Sequence, residues 1–306
     1  MPAAVTLRKN AGVTTPAASS PIPSVTSWYE QNARELPWRG VERTPWGVFV
    51  SEVMLQQTPV RRVLPAWRSW MRRWPSPAAL AAETPGEAIR AWGRLGYPRR
   101  ALRLHAAATI MAEQHSGAVP GGYDALRALP GVGDYTAAAV AAFAFGERRA
   151  VLDTNVRRVL ARAMAGEAAP GRGAPTAAER VLAESLLPDD GQAAATWSVA
   201  VMELGALVCT ARVPRCGTCP LAAACAWRRA SFPDAGTRVR PAQRWEGTDR
   251  QARGRLMAAL RDAPGPVEKA QLDQIWPDPV QRERAISTLV TDGLVETTAA
   301  GYRLPE

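Results

Sequence analysis

The sequence predicts a mostly helical protein with a small α+β module at its C-terminal end. Two observations carry this. Apolar residues recur at helical spacing through Phe49–Leu55, Val63–Met71, Leu102–Met111 and Ala137–Phe145, the pattern of helices that bury one face. No run of alternating apolar and polar residues, which a half-buried strand needs, occurs before the C-terminal segment.

In chain order, residues 1–24 are rich in Pro, Ala, Ser and Thr and lack an apolar stretch. They are expected to form a disordered tail and not a secretory signal. Helical segments follow from Val25 onward, punctuated at Pro75–Pro77, Pro85–Gly86 and Pro120–Gly122. Pro170–Pro175 reads as a surface loop. Phe232–Gly247 is polar and basic, with Pro233 and Pro241, so residues 230–248 read as a linker. Beyond it, in residues 249–306, Ala252, Leu256 and Leu260 mark one helix, and Leu272, Ile275 and Trp276 a second. Asp278-Pro279 opens a third, carrying Ala285, Ile286, Leu289 and Val290, and Gly293 ends it. Leu294–Thr297 and Gly301–Leu304 then pair as a hairpin. Three helices followed by a hairpin form a winged-helix pattern, used for DNA contact and for protein contact alike. At the start of the third helix, Arg282 and Arg284 are expected to meet phosphate, with Glu283 between them.

A chain of 306 residues with 47% hydrophobic content can bury two compact cores. Its longest apolar run, Ala137–Phe145, is too short and too alanine-rich to span a membrane. The net charge of +10 suits a polyanionic partner. Almost all of that charge is arginine, since Lys9 and Lys269 are the only lysines. Arginine forks match phosphate geometry, although a GC-rich genome would produce the same bias.

All four cysteines lie in one stretch, Cys209, Cys216, Cys219 and Cys225, spaced C-x6-C-x2-C-x5-C. Two disulfides would staple only a few residues of a chain large enough to hold its own core. A zinc site usually shows two CxxC pairs separated by a longer loop. A [4Fe–4S] cluster is wider and tolerates the long gaps, so it fits best, with zinc as the alternative. Clustered thiols without an export signal suggest a reducing cytoplasm.

Leu129-Pro130-Gly131-Val132-Gly133-Asp134-Tyr135-Thr136-Ala137 sits between two helical runs. Gly131 and Gly133 permit a sharp turn and close approach to another surface. The N–H groups opening the next helix then form an anion site suited to phosphate. A ligand-free helix–helix turn is the plainer reading.

Taken together, Leu129–Gly133, then Leu152-Asp153-Thr154-Asn155-Val156, then the cysteine loop resemble the endonuclease III-like DNA glycosylases. Ser51-Glu52-Val53-Met54-Leu55-Gln56-Gln57-Thr58, preceded by Leu36-Pro37-Trp38-Arg39, is similar to the adenine DNA glycosylase branch. The resemblance runs from about Ser27 to Trp227. It implies a two-lobed helical glycosylase that works as a monomer on double-stranded DNA, with no membrane partner. One lobe is a six-helix domain with a helix-hairpin-helix, residues 46–147. The other is an iron–sulfur helical domain built from residues 25–45 and 148–229.

The chemistry explains the residue types. Adenine is a poor leaving group as an anion, so an acid must protonate it as the glycosidic bond breaks. Glu52 lies among Val48, Phe49, Val50, Val53, Met54 and Leu55, where its carboxyl would stay protonated near neutrality. A surface glutamate paired with Arg61 or Arg62 is the alternative. Asp153 is expected to stabilise the sugar cation, or simply to cap the helix Val156–Met164; both can hold. The resemblance gives Asn155 and Tyr135 ordering roles, and Thr154 stands where the family commonly has glycine. Where a bifunctional relative would carry a Schiff-base lysine, this chain has Tyr135, which favours a monofunctional enzyme.

By the same resemblance, Trp38, Arg39, Leu55 and Glu203 form the adenine pocket. Gln57, Thr58, Leu95 and Tyr97 fill the vacated stack and touch the opposite 8-oxoguanine. From the turn's N–H groups, Gly131 and Gly133 are expected to bind the DNA backbone, as are Arg212 and Arg215 from their place inside the x6 gap. The family usually has a second tyrosine where Pro98 stands, and the C-terminal segment does not resemble the Nudix-like domain that members often carry. The leading reading is an adenine glycosylase acting opposite 8-oxoguanine or guanine. A bifunctional pyrimidine-lesion glycosylase and a non-enzymatic, redox-sensing DNA-binding protein are the alternatives.

Overall fold

A computed structural model describes residues 20–234 and 245–306. The tail expected over residues 1–24 lies mostly outside the described residues, but its last part is helical: helix α1 begins at Ile22 and ends at Asn32. Part of the linker, 235–244, is likewise outside them.

Helix α2 (Pro45–Leu55) follows a single turn at Pro37–Arg39. Thr44 caps it by accepting the Gly47 N–H, and Pro45 supplies the first helical position. Then come α3 (Val60–Arg73), α4 (Pro77–Ala81), α5 (Pro85–Trp92), α6 (Arg99–Gln114), α7 (Tyr123–Arg127) and α8 (Asp134–Phe145). Helices α2 to α8 enclose one core around Phe49, Met54, Trp70, Trp74, Trp92 and Leu104. Trp70 stands edge-on to both Trp74 and Trp92, at 4.6 and 5.8 Å.

The second core joins α1 to helices α9 (Thr154–Leu160), α10 (Ala177–Ser185) and α11 (Gly191–Leu207), and the single turn α12 (Ala226–Arg229) lies beside residues 161–165. Val25 of α1 packs with Val156, Trp197, Val201 and Leu204. A small apolar patch, Ala138, Ala139 and Ala142 of α8 against Val151 and Ala195, joins the two lobes. The alanines of α8 bring the backbones close, and the segment between α8 and α9 runs along this seam.

Residues from Asp249 onward form α13 (Asp249–Asp262), α14 (Lys269–Asp273) and α15 (Pro279–Thr291), followed by the antiparallel pair β1 (Glu296–Thr298) and β2 (Gly301–Arg303). This module shares its core with the first lobe: Leu256, Leu260, Ile286 and Leu304 belong to the same buried cluster as Ile89 and Trp92. The Pro305 carbonyl accepts the Gly86 N–H at 2.7 Å, and Arg90 reaches the Ala263 carbonyl at 2.8 Å. The expectation that Arg282 and Arg284 meet phosphate needs correction at Arg282. Arg282 is buried and donates to the carbonyls of Asp273 and Trp276, while Arg284 is paired with Asp249. Both arginines knit the module together. Among the described residues, no helix is long and apolar enough to cross a membrane.

Candidate active site

The exposed turn Gly131–Gly133 sets the start of α8. Gly131 adopts φ +77°, and a Cβ there would come within 2.7 Å of Arg103 Cβ, so only glycine fits this close approach. Two residues on, Tyr135 points from the first turn of α8 toward α2. Its hydroxyl donates to Glu52 Oε2 at 2.9 Å.

Glu52 is only 5% exposed. Burial pushes its carboxyl up to about 7, opposed by the Tyr135 hydrogen bond and the charge of Arg39 and reinforced by Asp153. The same burial, with Glu52 and Asp153 nearby, keeps the Tyr135 phenol well above its ordinary range. Glu52 therefore bonds a neutral phenol and not Arg61 or Arg62; Arg62 turns instead to the Arg94 carbonyl.

Asp153 is the N-cap of α9 and part of the site at once. Its Oδ1 accepts the Val156 N–H at 2.6 Å, and its Oδ2 accepts from Asn155 Nδ2 at 2.7 Å. Burial raises this carboxyl, and the two donors pull it back toward the ionised form. Thr154 is exposed and leaves this arrangement intact. Asn155 is held in turn by Arg158, which donates to its Oδ1 at 2.8 Å and to the carbonyls of Gly205 and Cys209, both at 2.7 Å. Gly205 is required here, because a Cβ would fall 2.7 Å from Asn155 Cβ and 2.8 Å from its carbonyl oxygen.

A cavity opens in front of Glu52. Trp38, Arg39, Val48 and Glu52 line it together with Tyr29, Arg43, Phe143, Gln192, Ala195, Thr196 and Val199. Two of the expected pocket residues are elsewhere. Leu55 packs against the first core. Glu203 is fully buried and accepts from Arg34 at 2.6 and 2.7 Å and from Arg39 at 2.7 Å. Burial alone would raise the Glu203 carboxyl, but the two guanidinium groups hold it down at about 2. Glu203 thus shapes the pocket by fixing Arg39. The walls that the sequence did not mark come from α1, α8 and α11. Phe143 reads as core within its apolar run, and Gln192 carries no local signal.

The structure also gathers Gln57, Thr58, Leu95 and Tyr97. Thr58 Oγ1 donates to the Leu95 carbonyl at 3.3 Å. Gln57 and Tyr97 are exposed, the latter by 55%, and both have left-handed backbones, φ +57° and +48°. Leu95 is buried beneath them. Arg212 and Arg215 are exposed on the cysteine loop, where Arg215 also donates to the Leu207 carbonyl.

Residues 50–183 match the HhH-GPD superfamily of base excision DNA repair proteins. Over 92% of this chain and 94% of the relative, the sequence is 53% identical to the adenine DNA glycosylase of Mycolicibacterium smegmatis. It is 50% identical to the adenine DNA glycosylase of Mycobacterium tuberculosis, over 93% and 97% of the two chains. The chain belongs to the adenine DNA glycosylase family. The solved structure of a thermostable thymine-DNA glycosylase overlays with a TM-score of 0.61 at 26% identity, covering 68% of this chain and 95% of that one. An endonuclease III–DNA covalent complex overlays at 0.58 and 21% identity, over 69% and 95%, a likeness of fold.

In this member of the adenine DNA glycosylase family, the fit of an iron–sulfur cluster can be tested on the donor set. Cys209, Cys216, Cys219 and Cys225 are all unpaired and line one pocket with Arg162, Trp227 and Arg228. Burial and the neighbouring sulfurs push the Cys219 thiol up to about 11 and raise that of Cys216 as well, so a thiolate at either position needs a cationic centre beside it. Among the described residues no three such ligands converge on a single-ion site. Four free thiols around one pocket, beside Arg162 and Arg228, are a donor set that a cluster of net negative charge would fit.

Proposed function

We propose that the protein removes adenine mispaired with 8-oxoguanine or guanine from duplex DNA, as a monomer in the cytoplasm, and leaves the strand uncut. The observation that carries this reading is the buried Glu52, bonded to Tyr135 and facing the cavity, with Asp153 beside it.

The flipped adenine enters the cavity between Trp38 and Phe143, where Arg39 and Gln192 meet its edge. Glu52 transfers its proton to a ring nitrogen of the base. The C1′–N9 bond then breaks, its electron pair leaves with adenine, and the sugar becomes an oxocarbenium ion. The ionised Asp153 stabilises that cation. Water adds to C1′ and returns a proton to Glu52, which gives an abasic site and restores the acid. Tyr135 holds Glu52 by hydrogen bond and supplies no amine, so elimination through a Schiff base has no nucleophile at this position.

Cys209, Cys216, Cys219 and Cys225 would hold a [4Fe–4S] cluster, which supplies a rigid cross-link for the loop. The chain's own part is to present Arg212 and Arg215 on that loop to the DNA backbone, while Gly131–Gly133 offers N–H groups to phosphate. Anaerobically purified protein should contain about four irons per chain, and stoichiometric zinc without iron would overturn the assignment.

Duplexes containing A:8-oxoguanine, A:G or thymine glycol, incubated with and without alkali, test the activity. Adenine should be released from the first two, and strands should break only after alkali. Efficient borohydride trapping, or cleavage of untreated A:8-oxoguanine strands, would show a lyase and refute the monofunctional mechanism.

A further inference from the structure

Arg100 is only 6% exposed. The charged groups acting on it are Tyr97 and Arg62, and no carboxylate among the described residues is one of them. Desolvation accordingly pulls its guanidinium down to about 10. A buried cation without a counter-ion is costly to keep, and its hydrogen bonds indicate what it is kept for.

Nη1 donates to the carbonyls of Val53 and Met54, both at 3.0 Å, and of Gln56 at 2.6 Å. Nη2 donates to Thr58 Oγ1 at 2.9 Å and to the Gly96 carbonyl at 3.0 Å. The first carbonyls end α2, the helix that carries Glu52, and a cation at a helix C-terminus is favourable. The remaining acceptors sit in two exposed turns. Gln56 and Thr58 flank Gln57, and Gly96 precedes Tyr97. Gln57 and Tyr97 are the two non-glycine residues of these turns with left-handed backbones, at φ +57° and +48°. Such conformations persist only where the surroundings hold them. The guanidinium also lies 5.1 Å from the Trp92 ring centroid and 5.6 Å from that of Tyr97, so the Tyr97 side chain is steered as well as its backbone.

We propose that Arg100 is a positioning residue: it locks the Gln57 and Tyr97 turns to the end of the Glu52 helix, so that the side chains filling the stack and the acid receiving the extruded base move as one rigid unit. This rests on the adenine glycosylase reading above. A lysine could not replace it fully, because one ammonium cannot span acceptors on two separate turns.

The test compares single-turnover adenine release at saturating enzyme for wild type, Arg100→Met and Arg100→Lys on two duplexes. Both hold adenine opposite 8-oxoguanine. In one the adenine is fully stacked, and in the other abasic analogues flank it, so that extrusion is already easy. Arg100→Met should lose about 100-fold on the stacked duplex but less than about fivefold on the opened one, since only the first needs the wedge. Arg100→Lys should fall between wild type and Arg100→Met. With 2-aminopurine in place of the target, the emission rise that reports unstacking should be present for wild type and absent for Arg100→Met. An equal loss on both duplexes, or no loss on the stacked one, overturns the proposal. If Arg100→Met does not fold, Arg100→Lys decides by the same comparison, and a wild-type ratio between its two rates overturns the idea. Wild type inactive on both duplexes would instead refute the underlying glycosylase reading.

Discussion

Glu52→Gln should reduce base release by about 10³-fold or more, within the range expected for loss of a general acid, while the variant still binds A:8-oxoguanine duplex. Glutamine keeps the shape of the side chain and can still accept the Tyr135 hydroxyl, but it has no proton to give. Single-turnover kinetics beside a binding titration would separate the two effects; tight binding with undiminished turnover would remove Glu52 from the mechanism. The wild-type pH profile should agree. Glu52 works as an acid only while protonated, and its carboxyl is raised to about 7, so kcat/KM should fall as pH rises through about 7. On the acid side it should fall as Asp153, which must be ionised, takes up a proton. Stability follows the same sign. A raised carboxyl favours the fold fully at pH below its unfolded value, and that contribution is lost as pH rises through about 7. Glu52→Gln should therefore gain in melting temperature relative to wild type above neutrality, and not at pH 5.

Asp153→Asn should cost about 10²- to 10³-fold in base release, the scale expected when a fixed charge facing a developing cation is removed. The helix should remain, because asparagine caps as well as aspartate and can still accept the Val156 N–H that Asp153 accepts at 2.6 Å. An unchanged melting temperature with a large rate loss would assign the effect to charge. A variant that loses stability and rate together, and whose rate recovers when stability is restored by lower temperature, would make Asp153 only a cap.

Much of this protein was legible from local patterns. The helical periodicity marked the segments that became α2, α3, α6 and α8, and Asp278-Pro279 with Gly293 marked α15. Caps, proline positions and apolar spacing are set within a few residues, so a linear reading can detect them. The setting of Glu52 was likewise readable, because Trp46 to Met54 of its own helix are all buried and mostly apolar. Glu203 shows where that logic stops. Its motif suggested a pocket residue, yet Arg34 and Arg39 arrive from 169 and 164 positions away and enclose it. The pocket walls at Tyr29, Phe143 and Gln192 share no spacing, since α1, α8 and α11 meet only after the two cores close. Arg282 looked like a phosphate ligand and became an internal strut, because its acceptors Asp273 and Trp276 lie on neighbouring parts of the module. The sequence by itself determined the main helical segments, the apolar setting of Glu52, the Asp153 cap and the grouping of the four thiols. Only the tertiary structure decided which side chains face one another across the cavity, because convergence of separate elements depends on how their apolar faces pack, and no local spacing records that.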